Sequence, residues 1–260
     1  MTTATIEDTS ERYRAPALDK GLDILELLSA TEEGLSQAEI AKALERTPNE
    51  IYRMLDRLVR RGYVARTAGD RYELTLRLFT LAHRHPPMRR LVGQAMPQLR
   101  QFARAAEQAC HLAVYDRGAV LVVAQVDSPG YWSFAIRVGS HISLLNTGSG
   151  HIFLAFASPE ERRMMLEERE VMPHESLPPD LDERLDRVRA EGYEMMLSQQ
   201  TANVYNLSTP ILGPQGSIVA VLTCPFLQRL DTDSPPSREA VLKLLVETGR
   251  ELSRSAGGAP

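Results

Sequence analysis

The chain has 260 residues, 43% hydrophobic and 25% charged, with a net charge of −4, as suits a folded protein of about two domains. No apolar run reaches the roughly 18 residues needed to cross a bilayer. The polar, acidic opening (residues 1–14) reads as a disordered tail, neither secretory signal nor transit peptide, and Cys110 and Cys224 form neither a disulfide framework nor a zinc motif.

Leu18, Leu22, Leu25 and Leu28, with Ile24 and Leu27, recur at helical spacing and predict a first helix from Ala17 to about Ser29. After Gly34, Ser36 and Glu39 form a capping box for a short helix whose apolar side is Ile40, Ala43 and Leu44. Thr47, Pro48 and Glu50 repeat the device, and a third helix runs to Arg61, burying Ile51, Leu55, Leu58 and Val59. Residues 63–67 and 71–75, separated by Ala68-Gly69-Asp70, read as a β-hairpin.

Two short helices with a tight connection, the second one basic, describe a helix-turn-helix, and the hairpin makes it winged. Charge supports this reading. Residues 53–90 carry 10 Arg against 3 acidic side chains, whereas residues 1–52 carry 5 basic against 11 acidic and residues 91–260 carry 15 against 20. Nonspecific hold on nucleic acid follows local phosphate neutralisation, so this arginine stripe matters more than the total. In such a fold the third helix enters the major groove of double-stranded DNA. The DNA-facing set is Ser36, Gln37, Thr47, Asn49, Glu50, Tyr52, Arg53 and Arg57 from the helices, with Arg66 and Arg71 on the wing. Glu50 has two readings: it serves the cap, or it accepts from a cytosine amino group.

Residues 75–108 read as a linker helix broken near His85-Pro86-Pro87, with Pro97 marking a kink or a second helix start. His83 and His85 belong to this linker and are not expected to bind metal. Beyond it, strands are predicted at about 111–126, 131–138, 193–198, 205–212 and 217–223, and helices near 147–156, 159–168, 180–191 and 236–254. The segment Asn146-Thr-Gly-Ser-Gly150 is the one most like a site, because small residues at a helix start let backbone amides approach an anion. It matches neither a nucleotide-binding glycine loop nor the GxSxG nucleophile elbow.

With these residues in view, the chain resembles the IclR family (isocitrate lyase regulator type) of bacterial transcription factors. The stretch GLSQAEIAKALERTPNEIYRMLDRLVRRGYV, Gly34 to Val64, parallels the family's helix-turn-helix. Arg53 matches the family's arginine, while Asn49, Glu50 and Tyr52 differ from its Ser, Thr and His. The similarity continues through Arg137-Val-Gly139, residues 144–156, Ser158-Pro-Glu-Glu161, Gly192-Tyr193, residues 203–210 and residues 216–225, in family order. The resemblance implies an α+β protein: a winged helix-turn-helix at 15–76, a linker helix at 77–98 and a profilin-like or GAF-like α/β effector-binding domain at 99–256. It also implies a homodimer or dimer of dimers, in the cytoplasm, on a pseudo-palindromic operator.

Carried over by position, effector contacts fall on Thr147, Gly148, Met196, Asn206 and Thr223, with Asn146, Tyr205 and Cys224 beside them and Trp132 and Phe134 as further aromatic walls. Met196 stands where the family can place an acidic residue, which favours a more apolar ligand, such as an aromatic carboxylic acid. His111, Arg137 and His141 are candidate polar partners for that acid. No cofactor is expected. The competing class is an enzyme domain fused to a helical interaction module, for which no nucleophile–base set, metal cluster or nucleotide loop is found. A redox sensor is a second rival, but Cys224 on a buried strand is expected to be inert packing.

Overall fold

The computed structural model describes residues 15–172, 175–230 and 233–258; the tail expected at 1–14 lies outside them. The chain divides into two compact units, Met1–Pro86 and Pro87–Pro260, at the paired prolines.

The first unit contains α1 (Pro16–Ser29), β1 (Leu35–Ser36), α2 (Gln37–Ala43), α3 (Pro48–Arg60), β2 (Val64–Thr67), β3 (Arg71–Leu74) and α4 (Arg77–Arg84). Ser36 and Glu39 close the capping box: the Ser36 amide donates to Glu39 Oε2 at 2.7 Å and the Glu39 amide to Ser36 Oγ at 3.3 Å. Ile24, Leu28, Ile40, Ile51, Leu55, Val64 and Tyr72 make one core from α1, α2, α3 and the hairpin. The turn at Gly69 and Asp70 takes positive φ at both residues, which the hairpin's twist requires. The two-residue strand β1 was not expected. It joins β3, with Leu35 opposite Tyr72, giving the order β1-β3-β2.

The second unit contains α5 (Pro86–Ala106), β4 (Cys110–Asp116), β5 (Ala119–Val126), β6 (His141–Ile142), α6 (Gly148–Phe156), α7 (Pro159–Glu168), α8 (Leu181–Glu191), β7 (Glu194–Leu197), β8 (Tyr205–Leu212), β9 (Ile218–Phe226) and α9 (Arg238–Ser255). Its sheet is antiparallel throughout, in the order β6-β5-β4-β9-β8-β7. Leu99, Phe102 and Ala106 of α5 and Val241 and Leu245 of α9 pack on one face, against Leu112, Leu207, Leu222 and Cys224. On the other face Ile152, Phe153 and Leu154 of α6 and Leu185 and Val188 of α8 meet Ala113, Val120 and Val221. Strand alternation sends odd and even positions to opposite faces, so the register of β9 fixes which side chains share a compartment.

Two expectations need adjusting. The linker helix α5 runs unbroken through Pro97, with no second start there. The strand expected at 131–138 does not form. Ser128 and Ser133 turn their side chains onto the loop's own backbone, Ser128 Oγ donating to the Trp132 carbonyl at 2.7 Å and Ser133 Oγ accepting from the Ser128 amide at 3.1 Å. Such local bonds compete with a ladder. The chain rejoins β5 only at Gly139, whose amide donates to the Val122 carbonyl, and the edge strand is β6.

Helix α6 is buried from Gly148 to Ala155, so over that span it has no exposed face. It fits only because its first turn lacks side chains: a Cβ at Gly150 would collide with the Leu144 carbonyl, and one at Gly148 would come within 2.6 Å of Ser208 Oγ. Gly150→Ala is therefore expected to lower unfolding free energy by about 1–3 kcal/mol, the usual range for overpacking. Urea denaturation of the full chain, with a lower midpoint at unchanged slope, checks this.

Candidate DNA-reading helix and effector face

The N-terminus of α3 is held by side chains of its own unit. Glu50 Oε2 accepts from the Thr47 amide at 3.0 Å and the Thr47 hydroxyl at 2.9 Å, while Oε1 takes the Lys20 ammonium at 2.7 Å. Both Glu50 oxygens are thus engaged inside the unit, one capping α3 and the other tying it to α1. The Lys20 ammonium first, then the Thr47 amide and hydroxyl, hold the Glu50 carboxyl down at about 2. Gln37 of α2 donates through Nε2 to the Pro48 carbonyl at 2.8 Å, fixing the turn between the two helices.

With Ile51 and Leu55 buried, α3 leaves Asn49, Tyr52, Arg53, Arg57 and Arg60 exposed. Arg60 is paired with Asp56 at 2.9 Å. Arg53 and Arg57 make no side-chain hydrogen bond or ion pair among the described residues. On the wing, Arg66 pairs with Asp70 at 2.7 Å, and both side chains are exposed. Arg71 turns inward: its Nε donates to the Gly34 carbonyl at 2.5 Å and its Nη2 lies 3.5 Å from Glu39. That contact docks the hairpin on the entrance to α2.

In the second unit the loop before α6 is held by buried polar contacts. Ser143 Oγ accepts from the Leu145 and Asn146 amides at 3.0 and 3.1 Å and donates to Glu175 at 2.5 Å. Thr147 caps α6, its hydroxyl donating to the Ser143 carbonyl at 2.6 Å and accepting from the Gly150 amide at 3.1 Å. His151 bridges the Leu145 carbonyl through Nε2 and Glu194 of β7 through Nδ1, both at 2.9 Å. A carbonyl only accepts, so Nε2 carries a hydrogen. Ser149, Thr223 and Ser208 form a buried hydroxyl chain with both links at 2.8 Å, joining α6 to β9 and β8.

Of the residues singled out in sequence, Gly148, Asn206 and Thr223 come together on this face. Asn206 Cβ lies within 3.5 Å of where a Gly148 Cβ would be, and Met196 is the cross-strand partner of Asn206. Asn146, also buried, is approached by Gln200 Nε2 at 3.5 Å. Tyr205 and Cys224 are not brought there. Both pack in the core of the opposite face, and the Arg238 guanidinium stacks 4.1 Å from the Tyr205 ring centre. Trp132 and Phe134 belong to the loop before β6, where Arg229 sits 5.7 Å from the Trp132 ring. Arg137 is exposed and His141 is half exposed, 3.8 Å from Glu170. His111 is buried. Burial pushes the Cys110 thiol up to about 12 and raises Cys224 well above its ordinary value, which suppresses the reactive thiolate. Ser208 and the His151–Glu194 pair escaped the sequence reading, because their partners lie on other elements; Ser149 lay within the segment 146–150 singled out there, without its link to Thr223. Among the described residues no cluster of three or more His, Cys, Asp or Glu is arranged to hold a metal ion, and no helix is long and apolar enough to cross a membrane.

Comparison with known proteins agrees with both halves. The IclR helix-turn-helix domain model matches residues 17–68, and the bacterial transcriptional regulator IclR C-terminal model matches residues 88–254. The chain is 29% identical to the HTH-type transcriptional regulator BhcR of Paracoccus denitrificans over 245 residues, covering 91% of this chain and 86% of that one. It is 27% identical to the HTH-type transcriptional regulator KdgR of Escherichia coli over 216 residues, 80% of each chain. In fold it is similar to an IclR homolog from Microbacterium hydrocarbonoxydans complexed with 4-hydroxybenzoate (TM-score 0.77, 22% identity, 92% of this chain and 98% of that one). The IclR of Thermotoga maritima is similar too (TM-score 0.74, 23% identity, 94% and 100%).

The Glu50 geometry has a pH consequence. Its folded-state value, about 2, lies below the ordinary 4.5. The carboxylate therefore stabilises the fold fully above pH 4.5, and that contribution is lost as the pH falls toward 2. Following the Glu50 carboxyl carbon by NMR is expected to give a midpoint near 2 in the native protein. Lys20→Met should move that midpoint upward; an unmoved midpoint contradicts the Lys20 assignment.

Proposed function

The chain belongs to the IclR family of bacterial transcriptional regulators, and from that premise we propose how this DNA-binding regulator reads its operator and its signal. Its relatives and family models are regulators of transcription, not enzymes. The observation that carries the DNA reading is the pair Arg53 and Arg57, exposed on α3 and free of side-chain partners among the described residues. With Asn49 and Tyr52 they face the major groove, where arginine forks suit guanine edges and phosphates. Arg66 of the wing reaches the backbone. Ser36, Gln37, Thr47, Glu50 and Arg71 set the geometry of the two helix entrances, and the first-turn amides they leave exposed meet phosphates.

The working form is a homodimer or a dimer of dimers in the cytoplasm. Helix α4 supports this: it buries no residue, and Leu78, Phe79 and Leu81 stand exposed along it, with Leu76 just before. A helix with such a face is stable when the face is covered, and a second copy of the same helix covers it symmetrically. Two copies present paired α3 helices to a pseudo-palindromic site.

The effector is a small organic acid, and an aromatic one fits best. It binds at the start of α6, near Asn146, Thr147, Gly148, Met196, Asn206 and Thr223. The amides of Gly148 and Ser149 meet no acceptor among the described residues, which suits a carboxylate at a helix N-terminus. Met196, in place of an acid, suits an apolar body, and the Microbacterium homolog's complex with 4-hydroxybenzoate is consistent with that class. Binding regulates transcription to the extent that the ligand prefers one DNA-binding state over another.

Two measurements check this. Arg53→Ala and Arg57→Ala should each weaken operator binding and reduce the slope of log affinity against log salt by about 0.9 per lost phosphate contact; unchanged affinity contradicts the assigned face. Phe79→Asp should shift the protein to smaller species in sedimentation velocity, and an unchanged distribution removes α4 from the subunit interface.

A further inference from the structure

One side chain on the α6 face is unsatisfied by the fold. His111 is 1% exposed, and neither ring nitrogen meets a hydrogen-bond partner. The β4–β9 register sets it directly opposite Thr223. The two side chains therefore leave the sheet on the same face, with Cβ atoms about 4.5–5.5 Å apart. Thr223 is bonded to Ser149 in the first turn of α6, so the imidazole lies beside the turn whose Gly148 and Ser149 amides also lack acceptors.

The neighbours that might have completed His111 are engaged elsewhere. Thr223 exchanges its hydrogen bonds with Ser149 and Ser208. Gln125, the partner across β5, directs its amide to Asp127 at 2.9 Å. A buried polar group without a partner is uncommon and weakens a fold, and such exceptions concentrate at functional sites.

Resting on the effector reading above, we propose that His111 is a specificity-determining residue that hydrogen-bonds a neutral hydroxyl of the ligand, while the ligand's carboxylate meets the Gly148 and Ser149 amides. Burial holds the imidazole down at about 4, so it is uncharged at neutral pH. Uncharged imidazole presents one donor and one acceptor. A hydroxyl is also both, so it can pair with either nitrogen. A carboxylate only accepts and is better served by the helix start. The ligand class is thus a hydroxylated carboxylic acid rather than its unsubstituted parent. Sites that hydrogen-bond a substrate hydroxyl reject analogues lacking it far more strongly than apolar pockets reject a missing methylene.

Calorimetric titration of the full-length protein with benzoate and its 2-, 3- and 4-hydroxy derivatives tests this. At least one hydroxybenzoate is expected to bind about tenfold or more tightly than benzoate. His111→Leu should abolish that preference while raising the thermal midpoint, because it removes an unsatisfied buried polar group. His111→Asn, which keeps a donor and an acceptor, should retain part of the preference. A preference that survives intact in His111→Leu overturns the assignment and leaves the organic-acid reading standing, as does equal binding of all four acids. Failure of every acid to bind the native protein overturns the organic-acid reading, and His111 with it. If the leucine variant does not fold, the imidazole nitrogen resonances of histidine-labelled native protein decide. They move when the preferred acid is added, or the assignment is wrong.

Discussion

The second unit depends on the seating of the first turn of α6 against the sheet. A helix with no exposed face is enclosed on every side, and its free amides must still be accounted for. Two glycines provide the close approach. Thr147 supplies the cap, Ser143 holds the loop that delivers it, and the Ser149–Thr223–Ser208 chain ties the turn to two strands. His151 then anchors the helix to β7 through Glu194. Each contact is short and buried, so a shift of the turn disturbs several at once. A ligand at this turn would act on the element to which β7, β8 and β9 are fastened.

The first unit is organised differently. Its entrances are set by bonds between near neighbours: Ser36 with Glu39, Thr47 with Glu50. Longer ties are few, notably Lys20 to Glu50 and Arg71 to Gly34, and each fixes one helix start to another element. Helix α3 is thus positioned from its N-terminal end.

This contrast explains what could be read from sequence. Capping boxes are local, so α2, α3 and the hairpin were legible almost to the residue. The order of strands and helices in the second unit was legible too, by periodicity and by family resemblance. The face of each strand was not. Thr223 and Cys224 are adjacent in sequence yet lie in different compartments, and the same parity separates Asn206 from Tyr205. Nothing local fixes that parity; the register against β4 does. The segment 131–138 has strand-like composition, but serine side chains on either side of its start satisfy the loop backbone and remove the need for a ladder. Pairs such as His151–Glu194, 43 positions apart, carry no signal in one sequence.

The arginine stripe has a less obvious consequence. Between Arg53 and Arg71 the chain spends Arg60 on Asp56, Arg66 on Asp70 and Arg71 on Gly34 and Glu39. Three of the six arginines in that stretch are thus engaged within the unit, and Arg53, Arg57 and Arg61 are not among them. An arginine already paired with a carboxylate displaces fewer counterions from a phosphate backbone, so the salt-dependent part of any hold on a duplex rests most on the arginines of this stretch that have no such partner.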